Sequence, residues 1–416
     1  MLDIKFIRDN LDLCKKAAIN KNRQVDWDVL LALDEKRRTL IVALEALRQD
    51  RNKISQERTE AAQIKGKELK DKLKQHEDDL RECESQLNQI MLTVPNIPDP
   101  SSPIGKDSSG NVEVKKWGMI PKFDFQPKDH IDLAKSLDII DFERGVKVGG
   151  FRAYFLKNEG ALLEMAIISY ALKKLVKKGY IPLTAPSMTK EFTFFGNGQF
   201  PWGKEEVYRL EKDDIYLAGT AEVPVTAYYS NEVLLEKDLP HKFVAYSSCF
   251  RREIGSYGKD LKGIYRVHQF SKIEQVIISK NDLNNSFTLH EELLANAEEI
   301  LQDFGLPYRV LNMCTGDMGE PQIKKYDIET WMPGRNEYGE TMSNSVMGDY
   351  QARRLKIRYK TKDGKTEYCH TLNNTAIASP RILIPILENY QQADGSVKVP
   401  EALQSFVGTD IIRRKT

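Results

Sequence analysis

The sequence predicts an α+β protein in which an antiparallel-sheet domain follows an N-terminal antiparallel coiled-coil arm. Two observations predict the arm. Apolar residues recur in steps of four and three along two stretches, and a polar, apolar-poor segment separates them. A third observation predicts the sheet domain: beyond a proline- and glycine-rich linker, aromatic and β-branched runs are interspersed with amphipathic ones.

In chain order, Leu2 to Lys21 reads as one short helical segment of mixed charge. From Asp26, a first seam carries Leu33, Leu40, Leu44, Leu47 and Ile54, interrupted by Arg37 and Arg51. A second carries Leu69, Leu73, His76, Leu80, Cys83, Leu87, Ile90 and Val94. Ser55 to Gly66 lies between them as the reversal. Helical arms of about 30 residues reach roughly 45 Å. Lys36 to Gln75 holds twelve Lys or Arg against six Asp or Glu, a net charge of +6. A solvated helix face explains any single one of these lysines, but a basic group on a protruding arm suits a phosphate backbone.

Val94 to Val112 holds Pro95, Pro98, Pro100, Pro103, Gly105 and Gly110, a linker. The expected domains are 1–104 and 105–416. Helices are expected at Asp129 to Leu137 and Leu162 to Lys178, followed by an extended segment, Tyr180 to Pro186. Gly196 to Pro201, GNGQFP, reads as a flexible loop able to close over a ligand. Val207 to Tyr216 and Val233 to Tyr246 read as strands. So do Tyr308 to Asn312, Lys325 to Met332 and Leu355 to Tyr359. Asp282 to Phe304 is an amphipathic helix with Phe287, Leu293, Leu294, Ala297 and Leu301 on its core face.

Composition narrows the class. The 416 residues carry a net charge of +1, which argues neither for nor against a nucleic-acid partner, because a basic patch can hide in a neutral total. No apolar run is long enough for a membrane helix, and Asp3, Lys5, Arg8 and Asp9 do not fit a secretory signal. Cys14, Cys83, Cys249, Cys314 and Cys369 show no paired spacing, which suits reduced thiols in the cytoplasm. The six histidines form no ligand pair.

The chain is organised around Phe243 to Gln275. Phe243 to Phe250 reads as a strand, and Arg251, Arg252 and Glu253 follow it. A basic loop with Gly255, Gly258 and Gly263 leads to a second strand, Arg266 to Val276. On a strand, Arg251 and Glu253 share a face. The guanidinium fork matches phosphate or carboxylate oxygens, the Glu can accept from an amine, and Phe270 can stack on a flat base. A lone FRRE would be an exposed hairpin with surface salt bridges. The full run is more particular.

FRREIGSYGKD and RVHQFSKIE resemble the second signature motif of class II aminoacyl-tRNA synthetases, and in detail the seryl-tRNA synthetase family. The resemblance runs from MLDIKFIRDN to LENYQQADGSVKVPEAL, essentially the whole chain. It implies serine activation by ATP and transfer to serine tRNA, with the arm gripping the tRNA's long variable arm by shape. It also implies a homodimer built on the helix and strand between 162 and 186.

The resemblance assigns the site as well. Arg251 would bridge the serine carboxylate and the α-phosphate, and Arg381 would hold the γ-phosphate. Thr220, Ala221 and Glu222 form the TAE triplet for the amino acid, with Glu222 on its ammonium. Glu274 and Thr375 would read the serine hydroxyl. Arg252, Glu253, Val267, Phe270, Glu340, Thr341, Met342 and Ser343 would bind ATP, and Glu340 and Ser343 a magnesium ion. Without the resemblance, Glu222 is a first-turn helix carboxylate and Glu340 and Ser343 are polar loop residues. Nucleotide binding would fall to the sheet surface, since no G-x-G-x-x-G or G-x-x-x-x-G-K loop occurs.

The third motif, HTLNNTAIASPRILIPILENYQQ, departs from the family: Asn374, Ala376 and Pro380 replace a glycine-rich turn. Ser379 is the expected N-cap with Pro380 at the first helical position. Pro385 removes an intrahelical bond to Arg381, so a kink or a delayed helix start is expected. ETMSNSV likewise stands where Glu-x-Ser-Ser-Cys-Ser-Asn is usual. Two other functions stay open: a ligase activating serine for a carrier protein, and an inactive tRNA-binding relative.

Overall fold

The computed structural model describes residues 1–57, 59–254 and 262–414. Arg58, Gly255 and Gly258 therefore lie outside the described residues. The chain divides into two compact units, Met1–Pro95 and Asn96–Thr416. The division falls before the expected 104/105 boundary for a local reason. The backbone N–H groups of Asn96 and Asp99 already donate to the Glu320 and Ile323 carbonyls of the second unit.

In the first unit the expected single N-terminal helix is two, α1 (Ile4–Asp9) and α2 (Leu11–Asn20). They part at Asn10, whose side-chain amide donates to the Phe6 carbonyl. The hairpin is α3 (Trp27–Ile54) and α4 (Glu60–Met91), capped by Asp26 and Thr59. Every residue of both predicted seams is buried or half-buried. Arg37 is no flaw in the seam, because it crosses the hairpin to Glu84 at 3.0 Å, as Arg48 does to Glu77 at 2.9 Å. Asp34, fully buried on α3, is held by Arg8 of α1 and by Arg38 one turn along, which ties the N-terminal helix to the arm.

The second unit is built on one sheet. Its strands are β1 (Val112–Trp117), β2 (Ile181–Thr184), β3 (His241–Phe250), β4 (Gln269–Ser279), β5 (Tyr308–Asn312), β6 (Lys324–Met332), β7 (Glu337–Gly348) and β8 (His370–Ser379). Their order is β1-β5-β6-β7-β8-β4-β3-β2, antiparallel throughout except that β2 joins β3 in parallel. The main helices are α5 (His130–Leu137), α6 (Asn158–Lys177), α7 (Glu191–Asn197), α8 (Glu222–Thr226), α9 (Leu283–Asp303), α10 (Tyr350–Leu355) and α11 (Leu383–Asn389).

Strand alternation sets the two faces. On β4, Ile273 and Ile277 join the main core with Leu163, Ile167, Leu293 and Leu301 of α6 and α9. Val276 and Ile278 point the other way, into a second cluster with Val225 of α8 and Ala352 and Leu355 of α10. Lys272 and Glu274 share that second face and open into a cavity.

Several expectations shift. The second strand of the central stretch begins at Gln269, leaving Arg266 and Val267 before it. Val207 to Tyr216 is a tight ribbon of two short strands, Tyr208–Leu210 and Ile215–Leu217. Leu355 ends a helix, and the strand there is Arg358–Lys360. The GNGQFP segment is not a free loop: Gly196 and Asn197 close α7, and Phe200 is fully buried between Phe194 and Tyr216. The third motif opens with strand β8, which takes its first ten residues. Ser379 ends that strand and does not cap a helix; it donates to Glu164 on α6 at 2.5 Å. The helix start is delayed to Leu383, so Pro385 sits in the first turn, where its missing N–H has no intrahelical partner to lose.

Candidate active site

The cavity, about 270 Å³, lies on the β4 face opposite α6 and α9. Of the residues singled out from the sequence, all but Ala221 and Arg252 line it. Ala221 is fully buried beside it. Arg252 is exposed and turns its guanidinium to the Glu205 carbonyl at 3.2 Å, because β3 ends at Phe250 and the backbone leaves the strand there. For the same reason Glu253 does not share a strand face with Arg251. It stands at φ 51°, held by Arg266 Nη1 at 3.0 Å.

Two β-bulges aim the side chains. On β8 the pairing with β4 passes from Ile273↔Ile377 to Glu274↔Thr375, so Ala376 is extra. A regular ladder would set Ala376 opposite Glu274. The bulge brings Thr375 there instead, and its hydroxyl donates to Glu274 Oε2 at 3.1 Å. On β7 the pairing with β6 passes from Ile328↔Met342 to Glu329↔Glu340, so Thr341 is extra. Residues three apart on a regular strand face opposite sides. The bulge puts Glu340 and Ser343 on the same cavity wall. Thr341 and Met342 also border the cavity, yet the Thr341 hydroxyl bonds to Thr330 and the Met342 side chain packs in the core.

One end of the cavity is a buried polar cluster. Glu222 opens α8 and accepts from Asn197 Nδ2 at 2.8 Å and Gln351 Nε2 at 2.9 Å, while the Thr220 hydroxyl takes its backbone N–H at 3.1 Å. Burial pushes the Glu222 carboxyl up, and neighbouring Glu274 adds to it; Gln351 and Lys272 oppose the rise. Lys272, 4% exposed, was passed over in the sequence. Its ammonium lies 2.6 Å from Glu274 Oε2, 2.6 Å from Thr220 Oγ1 and 3.4 Å from Thr375 Oγ1. The signal for it was its place two residues before Glu274 on a strand whose alternate positions are Ile273 and Ile277.

Arg251 stands between this cluster and the rest of the cavity. Its Nε donates to the Gly219 carbonyl at 3.2 Å, its backbone N–H to His268, and its guanidinium lies 5.3 Å over the Phe270 ring. Among the described residues its two terminal nitrogens take no partner. Gly219 allows this approach: a Cβ there would meet Arg251 Cγ at 3.1 Å and the Phe250 carbonyl at 3.2 Å.

The far end is cationic. Despite the altered third motif, Arg381 reaches the cavity: Nε donates to the Tyr265 carbonyl and Nη1 to the Glu340 carbonyl, both at 3.3 Å, over the Tyr265 ring. Burial works against ionisation of Glu340. Arg381, Lys325, Arg251 and Arg266 together outweigh it and hold the carboxyl below its ordinary range. Lys325, also unremarked in the sequence, pairs with buried Asp327 at 2.9 Å.

As a test for magnesium, the residues fit a partial site. Among the described residues no cluster of three or more His, Cys, Asp or Glu could hold a metal. Glu340 and Ser343 supply oxygen donors on one wall, and Asp327, opposite Ser343 on β6, has one buried oxygen with no partner among the described residues. Magnesium commonly takes one or two such protein ligands and completes its shell from phosphates and water.

Comparison with known proteins agrees with this architecture. A family model described as the seryl-tRNA synthetase N-terminal domain matches residues 1–98. One described as the class II tRNA synthetase core domain (G, H, P, S and T) matches 206–390, the span from before Thr220 to beyond Arg381. The serine–tRNA ligase of Treponema denticola is 46% identical over 99% of this chain and all of its own length. The chain belongs to the seryl-tRNA synthetase family. The Deinococcus radiodurans serine–tRNA ligase is also 46% identical, over 98% of each chain. Among solved structures, the seryl-tRNA synthetase of Pyrococcus horikoshii complexed with ATP is 39% identical with a TM-score of 0.93, and each chain is fully covered. The cytoplasmic enzyme of Naegleria fowleri in complex with AMP is 34% identical with a TM-score of 0.90, over all of this chain and 99% of that one. Family membership thus extends over both units.

Proposed function

We propose that this chain is a serine–tRNA ligase. The serine carboxylate attacks the α-phosphate of ATP to form seryl-adenylate and release pyrophosphate. The seryl group then passes to serine tRNA and AMP leaves. The observation that carries this reading is Arg251, a cation whose terminal nitrogens take no partner among the described residues, set between a buried carboxylate cluster and a cationic far end. Its guanidinium holds the attacking carboxylate and the α-phosphate in line and offsets charge on the transition state.

Around it, Glu222 pairs with the serine ammonium, and Glu274 with Thr375 takes the hydroxyl. Thr220 and Ala221 shape the wall. Phe270 supports the adenine, Glu253 accepts from its amine, and the Val267 main chain meets the base edge. Arg381 holds the γ-phosphate. Glu340 and Ser343 hold magnesium, which when bound shields the phosphate charge. Asp327 orients Ser343, and Thr341 and Met342 offer the nucleotide main-chain atoms.

The hairpin of α3 and α4 serves tRNA. In support, Lys36, Arg51, Lys53, Lys65, Lys67 and Lys70 are exposed on it. The chain works as a homodimer in the cytoplasm. Leu162 and Met165 on α6 and Ile181 on β2, apolar yet exposed, support a subunit contact there. No described helix is long and apolar enough to cross a membrane.

The test is pyrophosphate exchange by the purified protein across the common amino acids, followed by charging of serine tRNA. Serine alone should drive rapid exchange and appear on the tRNA. Exchange driven equally by another amino acid, or none with serine, contradicts the reading.

A further inference from the structure

The polar cluster at the cavity floor holds two carboxylates and one ammonium: Glu222, Glu274 and Lys272. A buried ammonium is costly unless well paired, and Lys272 has Glu274 as its carboxylate partner, with the Thr220 and Thr375 hydroxyls beside it. Its Nζ contacts Glu274 Oε2, the same oxygen to which Thr375 donates. Among the described residues no donor reaches Oε1. With both carboxylates ionised the cluster carries one net negative charge, enough for one ligand ammonium and no more.

We propose that Lys272 is the positioning residue that sets amino-acid specificity here, by occupying one oxygen of Glu274. The carboxylate then presents a single acceptor to a neutral hydroxyl and repels a second cation. The proposal rests on the reading of this cavity end as the serine subsite. It assigns to Lys272 what Glu274 alone does not provide. An uncompensated Glu274 would attract a side-chain ammonium more strongly than a hydroxyl, because a full opposite charge adds Coulomb attraction to the hydrogen bond in a buried site. The neighbouring charges facing the pair are Glu222 from α8 and Arg251 from the end of β3, and the Cys249 thiol on β3 is also close. Neither Arg251 nor Cys249 supplies the Glu274 contact that Lys272 makes.

The decisive probe is 2,3-diaminopropionate, which is serine with an ammonium in place of the hydroxyl. In pyrophosphate exchange, the wild-type protein should prefer serine over diaminopropionate by at least ten-fold in kcat/KM, at a pH where the side-chain amine is protonated. In Lys272→Met the ligand's own ammonium replaces the missing one. The preference should then invert, with serine falling at least ten-fold and diaminopropionate rising, while KM for ATP holds within about two-fold. A general structural defect would lower both amino acids together. Lys272→Arg, which keeps the cation, should retain the wild-type preference.

Wild-type protein that uses diaminopropionate as well as serine overturns the proposal without any variant. So does a folded Lys272→Met that keeps the serine preference. If Lys272→Met does not fold, the wild-type comparison still decides. Failure of the serine reading looks different: the wild-type protein would then show no serine-dependent exchange at all.

Discussion

Thr375 meets Glu274 because β8 carries one residue more than β4 along their shared ladder. The hydroxyl-to-carboxylate contact is 3.1 Å. On the proposed serine reading, Glu274→Ala removes the buried acceptor that a serine hydroxyl would satisfy and alanine would leave unpaired, a difference worth on the order of 10²-fold or more between such ligands. The variant should therefore lose most of its serine-over-alanine preference. An unchanged ratio of kcat/KM values would remove Glu274 from hydroxyl recognition.

Replacing 26–94 by a short Gly-Ser link should spare serine-dependent exchange and sharply reduce charging of tRNA. The arm's seams close on themselves, and no cavity-lining residue lies in the first unit. In the intact protein, tRNA affinity should fall as salt rises. Reversing Arg51, Lys53 and Arg58 should weaken binding and flatten that slope. Normal charging by the armless protein would reassign the hairpin to a protein partner.

His290, on α9, is buried, stacks on Tyr326 and sits 3.1 Å from the Asn344 carbonyl. Burial pulls its imidazole down to about 4. The unfolded chain, with an ordinary value near 6.5, binds that proton first. Stability from this group is thus complete above about pH 6.5 and drains as pH falls toward 4, amounting to about 3 kcal/mol. His290→Gln should be less stable at pH 7.5 yet show a flatter loss of Tm between pH 6.5 and 4.5. An equal slope in both proteins would contradict the assignment.

Pro385→Ala should change stability by less than about 1 kcal/mol, read from denaturant midpoints, because the proline replaces no intrahelical bond in the first turn of α11. A gain of about 3 kcal/mol, the cost of an interior proline, would mean the helix is strained there.

Long-period patterns were legible before the structure. The two seams gave the hairpin, and Asp282 to Phe304 gave α9 to within a residue at each end. Shorter signals were not. Strands β7 and β8 escaped notice because Glu340, Ser343, Asn373, Asn374 and Thr375 lack the alternation of a half-buried strand. Both of their faces are covered, one by the core and one by the polar cavity. The bulges at Thr341 and Ala376 shift the alternation further. Motif matching reached many of the residues that line the cavity but passed over Lys272 and Lys325, which line it too. Each acts on a carboxylate two residues along its own strand, Glu274 for Lys272 and Asp327 for Lys325, and a Lys and an acid at that spacing read in sequence as ordinary solvated charge; only the burial of both strands sets them apart.

The central claim is that one guanidinium, that of Arg251, serves both reacting anions. Serine-dependent pyrophosphate exchange by Arg251→Ala tests it most directly, with circular dichroism and Tm to establish that the variant is folded. Exchange should fall by at least about 10³-fold, as for loss of a preorganised transition-state contact. Wild-type exchange in the folded variant would contradict the account.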